Sequence, residues 1–251
     1  MSKLDELLAE YCPDGVQSFF LGDIANISRG ASPRPIKNFI TEDDDGIPWI
    51  KIGDVSVGSK YITSTAEKIT KEGASKSRLV RKGDFILSNS MSFGRPYILG
   101  IDGCIHDGWL SISGFEEKIM PDFLYYSLVS TRVQKEMAQK ASFGGAVQNL
   151  NADIVRGIAI PVPPIEVQRE IVRILDNFTE LTARKKQYEY YRNSLPDNNN
   201  KYKPATVCDL SSIMLYKELA HRNKTDEEIE SFYVIDDNVY AVESPLLLSL
   251  F

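Results

Sequence analysis

The sequence predicts an α+β chain: a globular mixed α/β domain with a mainly antiparallel sheet, followed by a long coiled-coil helix. Three observations predict it. Short apolar runs at Ile47–Ile52, Phe85–Ser88, Tyr97–Ile101 and Gly108–Ser113 are bounded by turn residues, as buried strands are. Pro121–Ala141 places Phe123, Leu124, Leu128, Val133 and Met137 at near-helical spacing, with a proline at the first turn. Beyond Pro164, apolar positions alternate by three and four along Val167, Ile171, Ile174, Phe178 and Leu181, then become mixed at Lys185, Tyr188, Arg192 and Leu195.

In chain order, Leu4–Tyr11 reads as a short leading helix, closed by the turn Pro13-Asp14-Gly15. Phe19–Ile27 is a strand or a short helical turn that delivers Ser28-Arg29-Gly30-Ala31-Ser32-Pro33-Arg34-Pro35. Two prolines and a glycine make that stretch a loop. Glu42-Asp43-Asp44-Asp45-Gly46 is a solvated turn, and Lys82-Gly83-Asp84 is a tight turn ahead of a buried strand. Ser88–Pro96 forms a second polar loop containing Gly94. A third, Ser142–Asn151, holds Gly144-Gly145, where the backbone can approach a partner closely. The short apolar strand Ile158–Pro164 then leads into a helix from Glu166 to Ser194, roughly 43 Å long at ~1.5 Å per residue. A helix of that length outruns its own small domain, so its stripe wants a partner helix. Pro196-Asp197-Asn198-Asn199-Asn200 ends it, and the tail offers one further helical candidate, Leu210–His221.

Composition narrows the class. With 251 residues, 43% hydrophobic and 25% charged, the chain can bury a real core. It has no run of eighteen apolar residues and its N-terminus does not read as a signal peptide, so a cytoplasmic protein with no membrane partner is expected. Cys12, Cys104 and Cys208 are scattered, which indicates neither a disulfide framework nor a zinc site. The formal charge of −6 argues against a free-standing, non-specific DNA binder. Its distribution is uneven: residues 1–195 sum to −1 and residues 196–251 to −5, while Ile47–Ile101 carries nine basic residues against four acidic ones. That stretch, with Lys76 and Arg78 at its centre, is a phosphate-facing patch or a solvated face of mixed charge.

Catalytic signatures are weak. The Asn/Asp-Pro-Pro-Tyr/Phe motif of adenine methylation is missing, since Val162-Pro163-Pro164-Ile165 lacks both the polar and the aromatic member. Neither a P-loop nor a glycine-rich dinucleotide turn is present. Asp107 with Glu116-Glu117-Lys118 faintly imitates a metal nuclease, but such a triplet ahead of a helix is ordinarily a solvated turn. His106-Asp107 is a structural pair or a base or phosphate contact rather than part of a nucleophile's triad. Recognition chemistry is better represented. Arginine reads guanine, asparagine or glutamine reads adenine, and serine, lysine and backbone amides position phosphates. Arg29, Ser32 and Arg34 in the first loop, Ser92, Phe93 and Arg95 in the second, and Gln148 and Asn149 in the third are the candidate DNA contacts. Phe93 has the alternative role of a core residue, and the two amides that of loop scaffolding.

The whole order of elements resembles the specificity (S) subunits of type I restriction-modification systems. Leu21-Gly22-Asp23-Ile24-Ala25-Asn26-Ile27-Ser28-Arg29-Gly30 looks like the usual start of a target recognition domain in that family. Asn149-Leu150-Asn151-Ala152-Asp153-Ile154-Val155, with Ile160-Pro161-Val162-Pro163-Pro164-Ile165-Glu166-Val167-Gln168, looks like its close. The resemblance covers roughly Val16 to Leu195 and implies a target recognition domain (1–163), a conserved spacer helix (164–195) and an acidic tail of unknown role (196–251). It further implies a non-enzymatic targeting subunit that reads half of a bipartite double-stranded DNA target. Such a subunit docks methyltransferase subunits, which carry the catalysis with S-adenosylmethionine, and the restriction subunit can join them. No cofactor is expected on this chain itself. Having one recognition unit, the chain resembles half-size forms that pair as homodimers, here through Ile171, Ile174, Phe178, Leu181 and Tyr188. The alternative is an interaction protein that pairs with methyltransferase or S subunits and modulates them without reading DNA, a reading motivated by the acidic tail.

Overall fold

The order of burial along the strands builds the fold as layers. The structure, a computed structural model, describes residues 2–55, 58–89, 93–142, 149–194, 232–235 and 238–241. Helix α1 (Lys3–Tyr11) leads, closed at its start by Ser2 and Asp5 bonding reciprocally to each other's backbone amides. Then come β1 (Ser18–Phe20), a single helical turn α2 (Leu21–Ile24), β2 (Asn26–Arg29), β3 (Ile40–Thr41), β4 (Ile47–Ile50), β5 (Tyr61–Ile62) and β6 (Glu67–Ile69). Helix α3 (Lys71–Ser75) precedes β7 (Arg78–Val80), β8 (Phe85–Ser88), β9 (Pro96–Leu99), β10 (Gly103–Ile105) and β11 (Trp109–Ser113). Helices α4 (Pro121–Val129), α5 (Thr131–Ser142) and α6 (Ala152–Arg156), strand β12 (Ala159–Pro161) and helix α7 (Ile165–Ser194) follow. Finally, β13 (Phe232–Ile235) and β14 (Asn238–Ala241) form an antiparallel hairpin.

Two five-stranded sheets dominate, in the orders β2-β11-β8-β9-β5 and β3-β6-β4-β10-β7. Every pairing in them is antiparallel except β5 with β9 and β4 with β10. The mixed, mainly antiparallel expectation therefore holds, distributed over two sheets. Strand β8 shows why they stack. Phe85 and Leu87 join the main core with Leu124, Leu128, Val155, Val167 and Ile171 of the helices, while Ile86 joins Ile50, Val80, Ile105 and Trp109 between the sheets. Side chains alternate along a strand, so a strand buried on both faces must lie in a middle layer. Each such fully buried side chain contributes ~1.5–3 kcal/mol. The outer face of the second sheet carries a smaller cluster of Trp49, Ile69 and Cys104. Strands β1 and β12 pair antiparallel, which ties the start of the domain to the entry of α7.

Four expectations are corrected. The single helix over Pro121–Ala141 is two helices, broken at Ser130, whose ψ of 144° is extended. The Ser130 hydroxyl donates to the Ser127 carbonyl at 2.7 Å and accepts from the Val133 amide at 3.4 Å, ending one helix and capping the next. Helix α4 is buried from Phe123 through Leu128, so it is a core helix rather than an amphipathic one. Ser28 and Arg29, expected in a loop, extend β2 because Leu110 and Ser111 of β11 offer them ladder partners. Lastly, Ile171 is wholly buried inside this chain's own core together with Val167, Val172 and Leu175. It therefore belongs to no interface with a partner. The predicted helical candidate Leu210–His221 lies outside the described residues.

Candidate nucleic-acid interface

The site begins where β2 meets the turn between β10 and β11. The Gly30 amide donates to the Trp109 carbonyl at 2.9 Å and the Ala31 amide to the Ile105 carbonyl at 3.2 Å. The approach is so close that a Cβ on Gly30 would sit 2.0 Å from the His106 carbonyl oxygen. Glycine is required there by contact, not by its φ angle. Gly108 has the same role across the turn, since a Cβ on it would lie 2.2 Å from Cε1 of His106.

His106 is a structural keystone. Its ring stacks on Trp109, with centroids 6.1 Å apart, and leans against Trp49 at 6.3 Å. Nδ1 accepts from the Gly108 amide at 2.6 Å, and the Ile52 amide nitrogen lies 3.3 Å from Nε2. Burial holds its pKa below the ordinary 6.5, against the partial opposition of Asp107. The imidazole is therefore neutral at pH 7 and offers no charge to a phosphate.

Asp107 gathers the loops. Its Oδ1 accepts from the Ser32 hydroxyl at 2.8 Å and its Oδ2 from the Arg34 guanidinium at 3.2 Å. Its backbone carbonyl accepts from Arg29 Nε at 3.1 Å and from Asn89 Nδ2 at 3.0 Å. The bond from Ser32 is the main cause that keeps the Asp107 carboxyl below the ordinary carboxylate pKa. Asn89, buried directly after β8, donates its main-chain amide to the Gly108 carbonyl at 3.0 Å, and its main-chain carbonyl accepts from the Leu150 amide at 2.8 Å. Arg78 Nε donates to the Arg29 carbonyl at 3.3 Å, and the Ser77 hydroxyl donates to the Ala31 carbonyl at 2.7 Å. The outcome is an open cleft of about 330 Å³ lined by Arg29, Ile52, Asn89, His106, Asp107, Gly108 and Asn149.

Of the predicted contacts, Arg29, Ser32, Arg34 and Arg78 are thus joined in one hydrogen-bonded cluster, and Asn149 is exposed on the wall of the same cleft. The others are engaged elsewhere. Lys76 pairs with Glu72 at 2.7 Å and covers the Phe39 ring at 4.5 Å. Phe93 packs against the main core, and the Arg95 guanidinium lies 5.8 Å from the Tyr97 ring centre. Ser92 and Gln148 fall outside the described residues. The basic stretch is also less positive than its composition. Lys51, Lys60, Lys71 and Lys76 are paired with Glu67, Asp122, Asp45 and Glu72. Asn151 caps α6, its side chain accepting from the Ile154 amide at 2.8 Å.

Sequence reasoning missed Asn89 and the positioning role of Asp107. The available signals were a polar residue directly after a buried strand and an Asp-Gly turn directly before one. The nuclease imitation dissolves in space, because Asp107 and Glu116–Lys118 lie beyond opposite ends of β11. Among the described residues no three His, Cys, Asp or Glu side chains gather as a metal site would need. Nor is any described helix long and apolar enough to cross a membrane.

Comparison with known proteins decides the family. Residues 13–189 match the family described as type I restriction modification DNA specificity domain. The chain belongs to that family. A relative, the type I restriction enzyme EcoprrI specificity subunit of Escherichia coli, is 24% identical over 259 residues, covering 92% of this chain and 63% of its own length. The fold recurs in the HsdS subunit from Thermoanaerobacter tengcongensis, with a TM-score of 0.56 and 21% identity over 74% of this chain and 44% of that one. It recurs again in a structure of a type I R-M system solved for its complex assembly and conformational transition, with a TM-score of 0.58 and 20% identity over 75% of this chain and 46% of that one. This specificity-domain chain thus spans under two thirds of the curated relative and under half of either solved chain.

Proposed function

We propose that this chain is the DNA-reading subunit of a type I restriction-modification complex and recognises one half of a bipartite duplex target. One observation carries the reading: Arg29, Asn89 and Asn149 line one open cleft, and Ser32, Arg34 and Arg78 are hydrogen-bonded to Asp107 or Arg29 on its wall, so that four separate segments meet there. Arginine and asparagine side chains are the groups that read guanine and adenine edges, and serine hydroxyls and arginines hold phosphates. In this reading residues 1–163, with the buried first turns of α7, form the recognition domain, and the rest of α7 is a spacer. That remainder pairs with the spacer of a second copy through Phe178, Leu181 and Tyr188, with Ile174 at the margin, as a coiled coil. Methyltransferase subunits dock on the pair and supply the chemistry with S-adenosylmethionine, a restriction subunit can join, and the complex works in the cytoplasm. One structure that shares this fold was solved for the complex assembly of a type I R-M system.

The test is to co-express the full chain with a type I methyltransferase subunit and map methylated positions on plasmid DNA by sequencing. Methylation at one two-part motif is expected; methylation at no motif while the complex is intact would sink the reading. The modulator alternative keeps one observation, the −5 carried by residues 196–251. If deleting 197–251 alone confers duplex binding on a complex that otherwise has none, masking is favoured.

A further inference from the structure

Asp107 presents two different hands to the cleft. Its main-chain carbonyl holds Arg29 and Asn89, whereas its carboxylate holds Ser32 and Arg34. We infer that the Asp107 carboxylate is a positioning residue for specificity: it presets Ser32 and Arg34 in the free protein, gives Arg34 up to a docking duplex, and repels phosphates that approach in the wrong register. The inference rests on the DNA-reading proposal above and deepens it.

The geometry favours exchange over permanence. Arg34 reaches Asp107 through one nitrogen, at 3.2 Å, and the two side chains are 81% and 43% exposed. Exposed, single-point ion pairs of this kind contribute little to stability, so a phosphate can displace the carboxylate cheaply. Ser32 is different. Its hydroxyl gives a 2.8 Å bond to Oδ1 and also accepts from the Asp107 amide at 3.3 Å, which pins the loop whether or not Arg34 leaves. A fixed negative charge on the wall of a cleft meant for DNA also repels phosphates that approach in the wrong register. Specificity is a difference of affinities, and a repulsive group raises it by weakening the wrong complex more than the right one.

Because Arg29 and Asn89 bond to the main chain, Asp107→Asn leaves those two contacts in place and removes only the carboxylate's influence. In the complex with methyltransferase, Asp107→Asn is expected to bind a scrambled duplex about threefold to tenfold more tightly. The salt slope on that duplex should steepen by about one unit as Arg34 becomes available to any phosphate. Affinity for a duplex bearing the motif selected by the wild-type complex should change less, so discrimination falls. Asp107→Glu restores the charge and should recover the wild-type slope, which a purely structural role would not produce. Selection from a random-sequence duplex library with the wild-type complex comes first. If it enriches no motif, the DNA-reading proposal fails. If it enriches one, and Asp107→Asn shifts matched and scrambled affinities equally with unchanged salt slopes, the inference about Asp107 is overturned.

Discussion

Arg29 and Asp107, 78 positions apart in the chain, are joined by a 3.1 Å hydrogen bond from the arginine Nε to the aspartate's main-chain carbonyl. The bond fixes the end of β2 against the β10–β11 turn, and it leaves the arginine's terminal nitrogens available to a ligand in the cleft. A bond to backbone does not depend on which side chain stands at 107. The position of Arg29 is thereby a property of the fold, while that of Arg34 is a property of a side-chain pair.

The two arginines should separate accordingly. Arg34→Ala removes an exposed pair, so the urea midpoint is expected to move by no more than ~0.5 kcal/mol in stability. Arg29→Ala also removes a loop tie and should cost about 1 kcal/mol. Both should weaken binding of a matched duplex by ~1–3 kcal/mol, measured by fluorescence anisotropy of the methyltransferase complex. A base contact relaxes the motif, and a phosphate contact flattens the salt slope. Unchanged binding by both variants would remove these residues from the interface.

Gly30→Ala is the sharpest test of the junction itself. The added methyl would lie 2.0 Å from the His106 carbonyl oxygen and 3.0 Å from that of Ile105, both backbone atoms that cannot swing away. Separating β2 from the turn should cost about 2–3 kcal/mol in urea unfolding. Duplex binding should fall further than in Arg29→Ala, because Arg29, Ser32 and Arg34 are displaced together. A variant as stable as wild type would mean that the turn accommodates a side chain.

His106 gives the junction a pH dependence. Burial depresses its folded pKa below the ordinary 6.5, so above that pH both folded and unfolded chains are neutral there and its titration adds no pH dependence. As pH falls below 6.5 the unfolded chain takes up a proton that the folded chain refuses. Stability then declines by up to ~1.4 kcal/mol per pH unit until the folded pKa is passed. Asp107 acts in a lower window: its folded pKa is depressed, so its contribution is present above the ordinary 3.8 and is lost as pH falls through the folded value. Urea midpoints between pH 7.5 and 5 should therefore slope downward in the wild type. In His106→Asn they should be lower throughout and flatter across that range.

Much of this architecture was legible from local pattern. The buried strands at Ile47–Ile50 and Phe85–Ser88, the turn at Gly83 with its φ of 96°, and the helix through Ser194 follow from short-range chemistry that the sequence carries directly. The break at Ser130 was not legible, because Val-Ser-Thr inside an apolar period reads as helix until a hydroxyl chooses the capping geometry. Asp107 was legible as a polar turn residue but not as a junction, since its partners lie at positions 29, 32, 34 and 89. Long-range pairing of polar groups leaves no periodic trace. The reading of Ile171 as an interface residue failed for a related reason. A three-four apolar stripe states that a face is buried, and it is silent about whether the cover comes from the same chain.

That ambiguity yields the final prediction, because the stripe changes character along α7. Ile171 is wholly buried against the chain's own core, and Gln168 just before it bonds to the Met120 amide and to the carbonyls of Lys118 and Pro163. Nearly three turns beyond Ile171, Leu181 is 42% exposed, a large apolar side chain on a helix that continues to Ser194. Ile171→Asp buries a carboxylate without a partner and should destabilise the fold by on the order of 4 kcal/mol, seen as a lowered thermal midpoint and loss of soluble protein. Leu181→Asp should leave the thermal midpoint of the recognition domain within a few degrees of wild type while abolishing self-association in sedimentation velocity. If Leu181→Asp sediments as the wild-type pair, the stripe beyond Leu175 is not the pairing surface.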